Sequence, residues 1–546
     1  MRRLNKGYGQ VMITRNNIQT LTGAKTIIET LKNLGVDTVF GYPGGVVLEL
    51  YDEIHKDKEI KHILVRHEQS AVHSAEGYAR ETGKCGVVLV TSGPGATNTL
   101  SGIVNAYLDG YPLIVLTGQV FKNLLGKDAF QEANICDICK SCTKKTFQIT
   151  SAKDIQKTFI EAYKTAMSGK KGPVVIDLVK DIFKEKVVFE PMNFEFDQNF
   201  VYVDSASNLN QMLENSEKPL IVAGGGVKHS KAEDELSKLV SKTDIPVVST
   251  MMGLGTFPQN DKNYFGMIGI FGDNSANNLL KESDLVISLG ARFNDRIVDR
   301  ECLNGKLFQV DINKNEISRV IKTDNFIIGD IKDVLSKISI SKRFSDWSIN
   351  AQAFRTANKT RFKQTNMLHS FEVIKEIEKF TKNEAITFTS EVGQHQLWAV
   401  QNLSFYKDRK IFVSGGSGTM GFGLPSAIGA AVANPSKQVV CITGDGSFQM
   451  ALHELATCKD YNLNIKIIIL NNGYLGMVRQ LQDKFCDGVY SETKISNPDF
   501  VTLAKSYGIN GLRVSSFDEI LPALQTAFST NDTFVIDFAV EPIETL

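Results

Sequence analysis

Two apolar runs near the C-terminus constrain the fold most. Gln438-Val439-Val440-Cys441-Ile442-Thr443 and Ile465-Lys466-Ile467-Ile468-Ile469-Leu470 both read as buried strands, and Ser447 to Leu463 between them has helical character through Met450, Leu452, Leu455 and Ala456. A strand, a crossover helix and a second strand make a parallel pair, which needs helices over its faces. Gly444-Asp445-Gly446 closes the first run and Asn471-Asn472 the second. Asp445 and Asn472 are therefore expected at neighbouring carboxyl ends of one sheet, where open α/β sheets bind ligands. A carboxylate beside an amide oxygen suits a hard cation such as Mg²⁺, which takes few protein ligands and fills its shell from phosphate oxygens. The flanking glycines let backbone approach a phosphate closely.

The same alternation runs through the rest of the chain. A first block, 14–185, has strand-like runs at Val39-Phe40, His62 to Val65, Val87 to Val90, Leu113 to Leu116 and Val174 to Leu178; a second, 207–340, has them at Leu220 to Ala223, Leu285 to Leu289 and Leu307 to Val310; a third, 367–546, holds the opening motif and ends in Thr533 to Phe538. The fold class expected is α/β, with three doubly wound parallel-sheet domains. Polar stretches at 186–206 and at 341–366, the latter with Arg343, Lys359, Arg361 and Lys363, read as linkers, and residues 1 to 13 as a loose extension in which Met12 is an alternative start. A length of 546 residues fits about three or four domains.

With a net charge of 0, nothing in the composition points to nucleic acid or a membrane surface. No apolar run reaches the roughly 18 residues of a membrane span. Eight cysteines in so long a chain suggest a reducing cytoplasm rather than a disulfide scaffold. Cys136, Cys139 and Cys142 share the spacing of part of a ferredoxin run, but Thr143-Lys144-Lys145 follows in place of a fourth cysteine, and the segment reads as a helix-like continuation of Phe130-Gln131-Glu132.

In the first block His67-Glu68-Gln69 opens a helix directly after a strand. Alone, Glu68 is an ordinary first-turn acid matched to the helix dipole. Two further glycine-rich loops, Gly41 to Gly45 and Ser92 to Asn98, also follow strands, and three such loops on one sheet edge make a site.

The blocks FGYPGG (40–45), VRHEQSAVHSAEGYAR (65–80), TSGPGATN (91–98), DAFQE (128–132), GQHQLW (393–398), GTMGFGLPSAIGAA (418–431), GDGSFQM (444–450) and NNGYLGMVRQ (471–480) together resemble the catalytic large subunit of the acetolactate (acetohydroxyacid) synthase family, from about residue 14 onward. The resemblance implies pyrimidine-binding, central FAD-type and diphosphate-binding domains in that order. It implies thiamine diphosphate, Mg²⁺ and a structural FAD as cofactors. The activity implied is decarboxylation of pyruvate and transfer of the hydroxyethyl unit to a second 2-keto acid, giving 2-acetolactate for branched-chain amino-acid synthesis.

By the same resemblance Glu68 bonds the aminopyrimidine ring, with Gly44, Gly45, Pro94 and Asn98 around it. Gln394, His395, Gly418, Gly444, Gly446 and Ser447 meet the rest of the cofactor, and Met420 bends it. Asp445, Asn472 and the Tyr474 carbonyl hold the metal. Gln131 and Lys180 act on the substrate, with Phe130, Arg296 and Leu481 lining its pocket. Gly224, Gly225, Gly226, Gly290, Arg292, Asp311 and Asp330 take the flavin. Partners implied are a homodimer or homotetramer, in which two chains share each cofactor, and a small regulatory subunit.

Some positions depart from the family pattern. Leu481 replaces a usual Trp, which implies weak preference for 2-ketobutyrate and poor herbicide sensitivity. Phe271 replaces a His and Lys170 an Arg near the flavin; Glu391 and Asn294 each replace an Asp, and Val179 a Pro. A divergent carboligase or decarboxylase with another acceptor is the alternative, and a non-catalytic cofactor-binding subunit a third reading.

Overall fold

The computed structural model describes residues 11–13, 18–194, 206–294, 296–297, 302–355 and 366–545. Three six-stranded sheets, parallel throughout, carry the fold. The first runs in the order Lys61–Leu64, Thr38–Tyr42, Gly86–Val90, Leu113–Gln119, Pro173–Val179, Lys145–Ile149. The third runs Lys410–Val413, Ile386–Ser390, Gln438–Gly444, Ile465–Asn471, Phe534–Ala539, Asn510–Val514. Numbered within each sheet, both orders are 2-1-3-4-6-5, so the first and third domains have the same topology. The middle sheet is different: Tyr264–Met267, Val247–Ser249, Pro219–Ala223, Leu285–Leu289, Lys306–Asp311, Asn325–Ile328. That is the 3-2-1-4-5-6 order of dinucleotide-binding folds, with its switch point between Pro219–Ala223 and Leu285–Leu289.

Central strands are apolar because both faces are covered: every residue of Leu113–Gln119, Pro173–Val179 and Leu285–Leu289 is buried. Helix Glu68–Thr82 starts where the His67 Nδ1 accepts the Gln69 N–H at 3.1 Å and ends at Gly83, whose φ of 74° suits only glycine well. This helix packs on Gly423–Ala433 of the third domain almost backbone to backbone. A Cβ on Gly77 would lie 2.2 Å from the Ser426 carbonyl oxygen, and one on Gly429 would lie 1.9 Å from that of Ser74. One apolar core therefore runs from Phe40 and Val88 of the first sheet to Cys441 and Ile467 of the third, while the middle sheet has its own.

Three expectations need correction. Residues 11–13 are not loose: Val11–Ile13 pairs antiparallel with Met192–Phe194. The stretch expected as a linker from 186 starts with strand Lys186–Phe189, antiparallel to Gln19–Thr22; its residues 195–205, like 1–10 and the Lys359, Arg361 and Lys363 of the second linker, lie outside the described residues. Phe130-Gln131-Glu132 is a turn and not the start of a helix; Gln131 has φ 60° and only Ile135–Ile138 is helical. Cys139 and Cys142 are buried below it, and the Cys142 thiol donates to the Cys139 carbonyl oxygen at 3.4 Å. No helix among the described residues is long and apolar enough to cross a membrane.

Candidate active site

The first sheet gathers one half of the site at the carboxyl ends of its strands. Glu68 is the first residue of its helix, and the Asn98 amide donates to its Oε2 at 3.0 Å. A Cβ on Gly95, just after Pro94 at the start of the short helix Pro94–Thr97, would lie 3.4 Å from Glu68 Oε1. Gly44 packs on Thr91 so closely that a Cβ would lie 2.5 Å from the Thr91 Cβ. Lys180 reaches across to donate to the Gly45 carbonyl oxygen at 3.3 Å, its ammonium 5.1 Å from the Phe121 ring centre. Gln131 adopts its left-handed backbone against Gly93, which is itself at φ 57°. The Glu132 carboxylate holds that turn by accepting the Lys127 and Ala129 amides at 3.3 and 3.1 Å, and the Gly126 amide at 2.5 Å. Phe130 beside them is 89% exposed. Glu68, Gly44, Gly45, Pro94, Asn98, Gln131 and Lys180 are thus neighbours. The Thr91 and Ser92 hydroxyls are buried here without a partner among the described residues, polar groups that a bound ligand would satisfy.

The third sheet gathers the other half. Asp445 is buried, and among the described residues its carboxylate accepts neutral donors: the Gly446 amide at 3.0 Å, the Gly473 amide at 2.8 Å and the Asn497 side chain at 2.7 Å. Burial pushes its carboxyl above the ordinary range. A buried carboxylate beside the Asn472 amide oxygen is a donor set whose chemistry fits a divalent metal. The Asn472 Oδ1 accepts the Tyr474 N–H at 3.0 Å, which turns the chain and brings the Tyr474 backbone alongside.

Gly444 and Gly446 are needed for space: a Cβ on Gly444 would lie 2.8 Å from His395 Nδ1, and one on Gly446 2.9 Å from Leu475 and 3.8 Å from the Met420 methyl. Met420 therefore faces the Gly444–Gly446 loop. Gln394 donates to Gln480 at 2.8 Å and to the Glu544 carbonyl oxygen at 2.7 Å. His395 is buried, its Nε2 without a hydrogen-bond partner among the described residues, and burial pushes its pKa down to about 3. Glu391, under the same loop, accepts the Thr443 hydroxyl and is pushed up to about 7 by burial. The 3.8 Å between His395 and Glu391 therefore joins a neutral imidazole to a weakly acidic carboxyl, not an ion pair. Ser447 is buried beside them.

A cavity of about 490 Å³ lies at the switch point of the middle sheet. Gly225, Gly226, Gly290, Arg292, Asp311 and Asp330 all line it. Gly224 lies just beneath, its N–H bonded to the Leu289 carbonyl oxygen at 2.9 Å. Asp311 is pushed up to about 6 by burial, and Asp330 caps helix Ile331–Ser336 while accepting the Ser230 hydroxyl. Lys170 and Phe271, two of the departures noted above, also line the cavity, with Lys170 3.3 Å from Glu316. The cavity is large enough for a cofactor, and its glycines remove the side chains that would fill it. Arg296 borders the same cavity. Leu481 sits at 36% exposure on helix Gly476–Phe485, none of whose residues is buried. Sequence reasoning missed Asn497, which ties Asp445 to Asn471 from 26 residues away at 2.9 Å, and Asp109, which lines the cavity from the first domain. Neither carries a local sequence signal.

In chain order, two sheets of one topology enclose a dinucleotide-type sheet, with the Asp445–Asn472 carboxylate–amide pair at the carboxyl edge of the last. This is the arrangement of a thiamine pyrophosphate enzyme. Residues 21–138 match the model of that class's N-terminal TPP binding domain, 206–338 its central domain and 391–538 its C-terminal TPP binding domain. The chain is 38% identical over 549 residues to the acetolactate synthase large subunit of Haemophilus influenzae, covering 96% of each. It is 42% identical over 520 residues to that of Lactococcus lactis, covering 91% of this chain and 88% of the relative. It is 36% identical to the isozyme 2 large subunit of Escherichia coli, covering 96% of each. The chain belongs to the acetolactate synthase large-subunit family.

Proposed function

We propose that the chain decarboxylates pyruvate and transfers the hydroxyethyl unit to a second 2-keto acid, with thiamine diphosphate held through Mg²⁺ on Asp445, Asn472 and the Tyr474 carbonyl. The observation that carries this reading is the meeting of Lys180 and Gln131 with Glu68 on one sheet edge: a cation and an amide suited to a keto acid stand beside an acid suited to a heterocycle. When bound, thiamine diphosphate supplies the carbanion chemistry. Glu68, with Asn98 fixing its Oε2, presents Oε1 to hold a proton against the aminopyrimidine. Lys180 keeps two of its three protons for a substrate carboxylate while the third holds the Gly45 carbonyl. Gln131, kept in its left-handed turn by the Glu132 clamp, offers an amide without charge. Met420 supports the cofactor between its two ends.

FAD in the central cavity acts as a structural group, since the net reaction is redox-neutral. The exposure of Phe130, Val478, Leu481 and Phe485 supports a dimer in which a second chain covers these surfaces. Eight free thiols suit a reducing cytoplasm, and a small regulatory subunit is a partner that the family carries.

Incubating the chain with pyruvate, Mg²⁺, thiamine diphosphate and FAD and following products by NMR tests the reading: acetolactate is expected, and acetaldehyde as the sole product would sink it. Gly226→Ala places a methyl 2.7 Å from the Gly290 Cα. It should cost about 1–3 kcal/mol and abolish flavin co-purification; full flavin absorbance in the variant would argue against the cavity as the FAD site. Leu481→Trp should raise selectivity for 2-ketobutyrate over pyruvate by about 10-fold. A competition assay with an unchanged product ratio would remove Leu481 from the acceptor pocket.

A further inference from the structure

The loop Ser414 to Met420 is held chiefly from outside itself. It contains Gly415, Gly416 and Gly418, and Gly415 to Ser417 are exposed. Glycine has more conformational freedom to lose than any other residue, so such a loop is ordered only by what bonds it. The bonds come from another domain. Asp109, at the end of helix Leu100–Asp109, accepts the Gly415 amide on one carboxylate oxygen at 3.1 Å and the Gly416 amide on the other at 2.7 Å. Asn105, one turn earlier, accepts the hydroxyls of Ser414 and Thr419, and the Ser414 oxygen accepts the Thr419 amide at 2.7 Å. Behind these anchors, Arg80 bonds both Asp109 at 2.8 Å and Glu76, and Glu76 accepts the Asn105 amide at 2.8 Å. All four anchoring side chains are buried.

The loop and its clamp also form part of the central cavity. Asp109 and Ser414 through Gly418 line it, and Arg292, on the opposite wall, comes within 3.4 Å of where a Gly416 Cβ would sit. A ligand in the cavity and the Asp109 carboxylate therefore meet the same peptide groups, four and five residues before Met420.

We infer that Asp109 is a positioning residue that couples the two cofactor sites: it sets the Gly415–Gly416 backbone, through which an occupied central cavity orders the Gly418–Met420 segment against thiamine diphosphate. This rests on the assignment of the cavity to FAD and of Met420 to thiamine diphosphate. The flavin of a redox-neutral reaction thereby acquires a physical role, the restriction of a glycine-rich loop.

Titration calorimetry of thiamine diphosphate in the presence of Mg²⁺, with and without saturating FAD, tests it on the full chain. In the unaltered protein FAD should tighten thiamine diphosphate by about 10-fold. In Asp109→Asn, which keeps the shape but replaces one acceptor oxygen by an amide, the factor should fall to near one while FAD still saturates. Ser414→Ala removes the link to Thr419 from the loop side without touching the buried charges, and should reduce the factor likewise. A purely structural role for Asp109 would lower the melting temperature and leave the factor intact, which would overturn the inference. So would an unaltered protein that binds both cofactors independently. An unaltered protein that fails to bind thiamine diphosphate at all would overturn the underlying assignment as well.

Discussion

Glu68→Gln should lower kcat by about 10²–10⁴-fold and change thiamine diphosphate affinity far less. The substitution is isosteric, and a glutamine oxygen can still accept the Asn98 amide that now bonds Oε2. Only the capacity to hold and release a proton is lost. Gly95 next to Oε1 leaves that side of the carboxyl open to a ligand, and the helix that starts at Glu68 fixes its direction. The assay should pair turnover with exchange of the cofactor's thiazolium proton into deuterium oxide, read by quenched NMR. Both rates should fall together. Normal exchange with slow turnover would place the role of Glu68 after proton removal, and normal turnover would remove it from the chemistry.

Long buried strands such as Leu113 to Leu116 and Leu285 to Leu289 were legible from their apolar runs, whereas the equally buried Ile386–Ser390, with Thr387, Thr389 and Ser390, and the short Val247–Ser249 were not. Of the edge strands His62 to Val65 was legible, and the others were not. Asn510–Val514 is largely exposed and mixes polar with apolar residues, and Asn325–Ile328 offers only the three-residue apolar run Phe326-Ile327-Ile328. The glycine loops pointed to the right sheet edges, since the close approaches of Gly44 to Thr91 and Gly444 to His395 demand glycine. The turn at Gln131 was misread as helix because its backbone is fixed by the Glu132 clamp and by contact with Gly93, neither of which follows from helical propensity. Strand order was beyond reach as well. Nothing local distinguishes the 3-2-1-4-5-6 sheet from its neighbours, although that order supports the flavin assignment more strongly than Gly224-Gly225-Gly226. Asp109 and Asn497 act through contacts formed only when distant segments meet, so their sequence neighbourhoods read as ordinary helix and loop.

Arg80→Met should destabilise the chain by about 3–5 kcal/mol, the largest stability effect expected here. The Arg80 side chain is almost fully buried and pairs with two carboxylates, Glu76 and Asp109, that are themselves inaccessible. Its guanidinium lies 4.1 Å from the Tyr111 ring centre and 5.2 Å from that of Phe422. Methionine fills much of the same space, so the loss is chiefly that of the charge and its hydrogen bonds. Burial already holds the Glu76 carboxyl above its usual range, with Arg80 opposing the shift. Without Arg80 that pKa must rise further.

A carboxyl whose folded pKa exceeds its unfolded value is tolerated while protonated and costs stability as pH climbs past the unfolded value. The deficit of Arg80→Met should therefore be small near pH 4 and grow toward neutrality. Adding Glu76→Gln should recover part of it, because one of the two stranded charges is then gone. Denaturant midpoints for the unaltered protein, the single variant and the double variant across that range decide the matter. A deficit independent of pH, and unrelieved by Glu76→Gln, would show that Arg80 serves by packing against Tyr111 and Phe422 and that the charges between the first and third domains are balanced by other groups.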